Sequence, residues 1–339
     1  MNYQTVLNII NSPKRIKDKI NWQELIVFSS NNMIGSYIYG LLGEKITDSE
    51  VKTKFKKEAI KNLQINILLL RESKKIAHHL KTNKINYVFI KGVSLLNTIY
   101  TPINLRVLRD IDLLIKKKNL VLIKKILRKE GYCEEKLHDI HSNYWKNYSH
   151  HLPFSKKTKY GKVLVEVHWD VLEKGNPFTI KTEDILNNKK LSKSYCVPCF
   201  EDMIIISLSS LFYQQVSYYL RNFIDIKLII KKKKINWRKL IQKSIKYGTN
   251  DVVLLGLSFM KKYFNTNIPD FVFSNLEKNS KKRIKNALKF ININYIFNKY
   301  YPNKNQRFIT QIRMCPIHLK LYNLYKLSLL LRFKKKCKT

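Results

Sequence analysis

Across residues 22–80 apolar positions recur at helical spacing, as at Ile60, Leu63, Ile67, Leu70 and Ile76. That period predicts a helical lead-in whose last member is long. From residue 84 to about residue 172 the period falls to two in several places, and residues 87–90, 110–115 and 163–169 read as strands. Helices are expected over residues 93–100 and 118–130, the second stopping at Gly131, a residue suited to ending a helix. Past Glu201 the helical period returns, over residues 203–220, 224–230, 237–247 and 252–264. Strands alternating with helices in the middle, with helices on both sides, predict an α+β chain with a small mixed sheet. The expected units are an N-terminal helical region (1–82), a core (83–190) and a C-terminal helical domain with a basic tail (191–339). No internal repeat is visible.

Composition narrows this picture. Nine Gly and eight Pro in 339 residues are too few for a loop-rich all-β design. A hydrophobic share of 45% argues for a folded chain over a disordered one. Lys and Arg number 65 against 24 Asp and Glu, a formal net charge of +41. Such a charge attracts polyanions: nucleic acid, nucleoside triphosphates or an anionic membrane surface. Lys, Ile and Asn are abundant together, however, and all three have A/T-rich codons. Lys also far outnumbers Arg, the residue suited to forked phosphate contacts. A functional charge and a merely solvated lysine surface both stay open.

Five scattered cysteines fit a reducing cytosol better than a disulfide framework. Cys196-Val-Pro-Cys199 has the redox CxxC spacing, but lacks a second pair for zinc, and a plain loop leading into a helix is the expected reading. The N-terminus has no signal-peptide pattern, so a cytoplasmic protein is expected. The most apolar window, residues 203–220, is interrupted by Gln214, Gln215 and several Ser. It reads as a buried helix, because a membrane span needs about 20 predominantly apolar residues. Residues 319–338 are amphipathic and close on Lys334, Lys335 and Lys336, which leaves peripheral membrane contact open beside a core-facing helix.

The richest segment is Arg109-Asp110-Ile111-Asp112-Leu113-Leu114-Ile115. In a strand, residues two apart project from one face about 6.6–7 Å apart, so Asp110 and Asp112 point together while Ile111, Leu113 and Ile115 point to the core. Two such carboxylates can bracket divalent ions about 3.5–4 Å apart, the spacing used in in-line phosphoryl displacement. Mg²⁺, or Mn²⁺, suits these oxygen ligands. In the strand over residues 163–169, Val163, Val165, Val167 and Trp169 share an apolar face, and Glu166 and His168 share the other. A carboxylate among valines calls for a reason, since an unpaired buried charge is costly, and a third metal-binding or base carboxylate supplies one. Upstream, Lys91, Gly92 and Ser94 stand at a strand-to-helix junction, where free amides form a phosphate cradle.

Lys91-Gly92, a helix, Arg106, Asp110-x-Asp112 and then Glu166-Val-His168-Trp169 together resemble the uncharacterised nucleotidyltransferase family within the DNA polymerase β superfamily. The likeness runs from about Trp22 to near Phe264, with Glu201-Asp202, Arg221, Asp225 and Ile235-Asn-Trp237 fitting the family's helical half. It implies two-metal transfer of a nucleoside monophosphate from an NTP to an acceptor, releasing pyrophosphate. Asp110 and Asp112 would carry the metals, Glu166 would complete the site, and Lys91, Gly92 and Ser94 would hold the β- and γ-phosphates. Arg106 or Arg109 would neutralise developing charge. The superfamily has adjacent Gly-Ser at the helix start, whereas here Val93 intervenes, which makes Gly92 the safer phosphate contact.

His168 is expected near the site, because it shares the Glu166 face. His138, His141, His150 and His151 precede that strand without a Cys or carboxylate to complete a ligand set, though His150 or His151 is placed to face the site. Asp225, one turn after Arg221, reads first as half of an i, i+4 ion pair, with a role facing the core left open. The acceptor is open among tRNA, protein and a small metabolite. The competing reading is a catalytically silent basic protein that binds RNA or an anionic surface on the same scaffold.

Overall fold

The computed structural model describes residues 3–16, 20–135, 149–172, 176–214 and 220–280. Its lead-in comprises helices α1 (Tyr3–Asn11), α2 (Trp22–Asn31), α3 (Gly35–Leu42) and α4 (Ser49–Thr82). Asp48 caps α4, its side chain accepting from the Val51 amide at 3.0 Å, which satisfies one orphan donor of the first turn. The long final helix is as expected and Ile76 is buried on it, but the buried face departs from the expected positions at Ile60, Leu63 and Ile67. Phe55, Ala59, Asn62, Asn66, Leu69, Ser73 and Ile76 point inward, while Ile60, Leu63 and Ile67 are 48%, 37% and 52% exposed. The buried face carries polar groups because neighbouring elements need them. The Asn66 amide donates to the carbonyls of Ile103 (2.7 Å) and Arg106 (2.8 Å), fixing the loop that leads into the central strand.

That strand belongs to a five-stranded mixed sheet in the order β1-β2-β5-β4-β3, with β1 Tyr87–Phe89, β2 Ile111–Ile115, β3 Cys133–Glu134, β4 His151–Thr158 and β5 Gly161–His168. Strands β2 and β5 run parallel and every other pair is antiparallel. Helix α5 (Lys91–Thr98) follows β1 and α6 (Leu120–Lys129) follows β2. Ile111, Leu113, Ile115, Val163, Val165 and Val167 are wholly buried, as strand alternation predicts. Strand β2 opens one residue later than expected, so Asp110 ends the approach loop and only Asp112 lies within the strand.

After α7 (Thr182–Asn187) comes a hairpin of β6 (Lys190–Ser192) and β7 (Tyr195–Val197). Cys196 thus lies in a strand rather than in a plain loop. Cys196 and Cys199 are free thiols; burial and the Asp202 carboxylate push the Cys199 thiol up to about 12, an inert state.

Five helices complete the described chain: α8 (Phe200–Gln214), α9 (Leu220–Lys232), α10 (Trp237–Lys246), α11 (Asn250–Phe264) and α12 (Asp270–Lys278). Residues 215–219 of the apolar window lie outside the described residues, and Leu220 on their far side is helical. Phe223 of α9 packs against Phe259 (4.8 Å between centroids) and Phe264 (5.8 Å) of α11. Among the described residues no helix is long and apolar enough to cross a membrane. His138, His141 and residues 319–338 lie outside the described residues.

Candidate active site

The parallel pairing of β2 with β5 sets Asp112 opposite Glu166 and Leu114 opposite His168. Because β5 alternates valine and polar positions, Glu166 and His168 share the face on which Asp112 stands. The next strand sets Pro153 opposite Glu166 and His151 opposite His168. Register alone therefore gathers two carboxylates and two imidazoles from three strands onto one patch.

Asp112 is only 2% exposed, which a carboxylate tolerates when its charge is paired and hydrogen-bonded. Its Oδ1 lies 2.7 Å from Lys91 Nζ and 3.0 Å from His168 Nε2. Burial by itself would raise its pKa, but the Lys91 ammonium and the His168 ring outweigh burial and hold it well below the usual carboxylate range. His168 Nε2 also lies 3.3 Å from Glu166 Oε2 and so bridges the two acids. Burial likewise opposes ionisation of Glu166, yet the His168 hydrogen bond leaves its pKa below the ordinary value. Asp110 goes the other way: burial first, then the charges of Asp112 and Glu166, push it up to about 6.

Lys91 opens α5 with a φ of 50°, a left-handed conformation that a side chain with a Cβ adopts at a cost. Its carbonyl accepts from the Ser94 hydroxyl at 2.8 Å. Ser94 is fully buried and stands apart from the described lining of the cavity. At Gly92 a Cβ would run into Leu108 Cδ1 and lie 3.1 Å from Arg106 Nη1. The missing side chain is therefore already accounted for by protein packing.

Arg106 is buried and forked onto Asp225, with Nε to Oδ1 at 2.9 Å and Nη2 to Oδ2 at 3.0 Å. The Tyr100 hydroxyl donates to the same Oδ1 at 2.6 Å. Asp225 thus faces the core, as the open alternative had it, and takes a bidentate partner 119 positions away, while its charge also acts on Arg221 one turn earlier. Arg221 Nη1 reaches the Val107 carbonyl at 3.2 Å. A cleft of about 250 Å³ opens here. One wall is Lys91, Gly92, Arg106, Arg109, Asp110, Asp112 and Glu166; Ser207, Ser210, Arg221 and Asn222 from α8 and α9 contribute the other. Sequence reasoning did not single out the two serines as cleft lining. Their signal was present as small hydroxyls, three apart, breaking an apolar helix.

His150 and His151 stand beside the carboxylates, with ring centroids 5.3 and 4.9 Å from that of His168. Burial and then the neighbouring His168 push their pKa values down to about 2 for His150 and about 4 for His151, so both are neutral at pH 7. Among the described residues, two groups of side chains hold ligand atoms within 4.8 Å of one another: Asp112 with Glu166 and His168, and His150 with His151 and His168. The first, two carboxylates and an imidazole, offers a donor set suited to Mg²⁺ or Mn²⁺, and Asp110 lines the same cleft.

A larger cavity of about 550 Å³ between α1 and α11 is lined by Arg15 and Lys262, but its described lining includes no carboxylate, imidazole or thiol. The carboxylates, with Lys91 and the arginines, line the smaller cleft instead. No curated protein matches the chain. A family model described as an uncharacterised nucleotidyltransferase matches residues 18–265, which take in every element from α2 through α11. With the carboxylate pair, the lysine and the cleft in place on that matched stretch, the chain belongs to the family of uncharacterised nucleotidyltransferases.

Proposed function

We propose that the chain transfers a nucleoside monophosphate from an NTP to an acceptor hydroxyl or phosphate, with Asp110, Asp112 and Glu166 as metal-binding carboxylates. The observation that carries this reading is the pairing of Asp112 with Glu166 across parallel strands, with Lys91 on the same carboxylate, at the wall of a cleft. A divalent ion such as Mg²⁺ or Mn²⁺, bound by these carboxylates, would supply neutralisation of the transferring phosphoryl group. Family membership supports nucleotidyl transfer in general.

The chain's own residues divide the remaining work. Lys91 and Arg109 bind the β- and γ-phosphates and neutralise the departing pyrophosphate. The Glu166 carboxylate orients the acceptor and takes its proton as the acceptor oxygen bonds to the α-phosphorus and the bond to pyrophosphate breaks. Arg106, held by Asp225, fixes the wall of the cleft and the helical half beside it. Gly92 contributes close packing of the α5 start, and Ser94 steadies the Lys91 carbonyl. Ser207, Ser210 and Asn222 offer hydroxyl and amide groups to the nucleobase or the acceptor.

The test is Mg²⁺-dependent binding of NTPs to the full chain, and transfer of labelled nucleotide to tRNA, protein and sugar-phosphate acceptors. Asp110→Asn and Asp112→Asn are expected to abolish transfer; unchanged transfer in both would overturn the assignment. The net charge of +41 favours a macromolecular acceptor. It is also the observation behind the second reading, a basic protein that binds RNA or an anionic surface without catalysis. RNA affinity that needs no divalent metal and survives both substitutions, without transfer, would select that reading. A cytoplasmic location goes with the first.

A further inference from the structure

We propose that His150, His151 and His168 form a binding site for a divalent transition ion of the Zn²⁺ class. It would adjoin the carboxylate site, joined to it through the His168 ring and through His151, whose Nε2 lies 4.0 Å from Glu166 Oε1. The inference does not rest on nucleotidyl transfer. It begins with register: His151 and His168 are cross-strand partners on β4 and β5, which puts both side chains on one face. His150 is fixed next to them, because its carbonyl accepts from the Trp169 amide at 2.9 Å. The three rings lie 4.6, 4.9 and 5.3 Å apart between centroids. One ligand nitrogen from each falls within 4.8 Å of the others.

Hydrogen bonding then fixes which nitrogen of His168 is available. Nε2 lies 3.0 Å from Asp112 Oδ1 and 3.3 Å from Glu166 Oε2. Nε2 is thus the nitrogen that faces the two carboxylates, and Nδ1 is the nitrogen left outside that contact. His168 is fully buried, and its Nδ1 has no hydrogen-bond partner. The buried Nδ1 of His150 lacks one as well. A histidine placed only for packing would have its ring nitrogens satisfied, since buried polar atoms nearly always are. A metal-ligating histidine has the pattern seen at His168: one nitrogen on a carboxylate, the other offered to the ion.

Donor type selects the ion. Three imidazole nitrogens suit Zn²⁺, Ni²⁺ or Co²⁺, whereas Mg²⁺ prefers the oxygens of the neighbouring carboxylates. Three protein ligands leave a fourth position for water or another donor. An ion on His168 Nδ1 would also strengthen the hydrogen bond from Nε2 to Asp112, so its occupancy would be felt at the carboxylate pair.

The test is titration of the metal-stripped full chain with Co²⁺ in excess Mg²⁺ and without nucleotide, followed by visible absorption. One Co²⁺ per chain is expected, displaced by Zn²⁺. His150→Gln and His151→Gln should each weaken Co²⁺ binding by about 10-fold or more, and Asp110→Asn should leave it unchanged. On the unaltered chain, Zn²⁺ should protect His150 and His151 from diethyl pyrocarbonate, read by peptide mass spectrometry, which keeps the test valid if a variant fails to fold. Equal Co²⁺ affinity in the parent and both histidine variants, or no Zn²⁺ protection at these two residues, would overturn the proposal. Neither readout involves NTP, so failure here and failure of nucleotidyl transfer are separate results.

Discussion

Asp112 and Glu166 stand opposite each other across the only parallel strand pair of the described sheet, and the Nε2 of His168 touches both carboxylates. Parallel pairing matters because it brings together acids that are 54 positions apart and leaves both on the cleft face. Two carboxylates this close repel, and the cost is offset here by Lys91 on one side and His168 between them. The same contacts keep Asp112 ionised and rigid.

Removing the bridge should therefore disturb both acids at once. His168→Ala is expected to lower kcat/KM by about 10²-fold, in line with loss of a positioning contact, and to raise the Asp112 carboxyl pKa. The pKa is read by carboxylate NMR as pH falls. A variant that keeps parental kcat/KM with an unshifted Asp112 resonance would show that the bridge is incidental. Asn at 168 should recover part of the effect, since its amide can donate to a carboxylate.

The Arg106–Asp225 fork ties the loop before β2 to α9, and both members are buried. Asp225→Ala leaves a buried guanidinium without its carboxylate, and should cost about 3–5 kcal/mol in urea unfolding. The paired replacement Arg106→Met with Asp225→Leu should be much less damaging than the sum of the two single changes. Additive losses would mean that the fork is not a unit.

How much of this was legible beforehand depends on range. Alternation along one strand exposed Glu166 against its valine face, and the Asp110-x-Asp112 spacing marked the other acid. Neither pattern contains the register that pairs Asp112 with Glu166, because that depends on which strand lies beside β2. Asp225 shows the same limit: the sequence offered Arg221 four residues away, and folding supplied Arg106 from across the cleft. On α4, counting apolar positions picked Ile60, Leu63, Ile67, Leu70 and Ile76, of which Ile76 is buried, whereas the buried stripe also includes Asn62, Asn66 and Glu72. Asn62 donates to Ser36 of α3, Asn66 serves the loop before β2 and Glu72 serves the sheet edge, demands invisible to hydrophobic periodicity.

Glu72 makes that demand measurable through pH. Its carboxylate accepts from Lys75 (2.8 Å), Tyr132 (2.9 Å) and Lys156 (3.3 Å), joining α4 to the sheet edge. Burial would raise its pKa, but these three partners hold it below the ordinary 4.5. A depressed carboxyl pKa means that its stabilisation is complete above 4.5 and is lost as pH falls through the lower folded value. Glu72→Gln is expected to cost about 1–3 kcal/mol at neutral pH. The gap to the parent should narrow on acidification below 4.5, followed by urea unfolding at each pH. A gap that stays constant or widens would contradict the network.

Gly92 provides a test of packing against ligand approach. A phosphate cradle needs glycine so that substrate can come close, and the sequence alone suggested that role. The structure adds a second demand, since a Cβ would strike Leu108 Cδ1 and crowd Arg106 Nη1. Leu108 is buried at 3% exposure and has little room to yield. Gly92→Ala should therefore destabilise the free protein by about 1–3 kcal/mol as overpacking, before any nucleotide is added. Leu108→Val in the same chain should return part of that stability by withdrawing the colliding methyl. Since Arg106 lines the cleft, KM for NTP should rise in Gly92→Ala and fall back in the double variant. If Gly92→Ala melts like the parent and only KM changes, close approach of the substrate, and not packing against Leu108, is what requires glycine there.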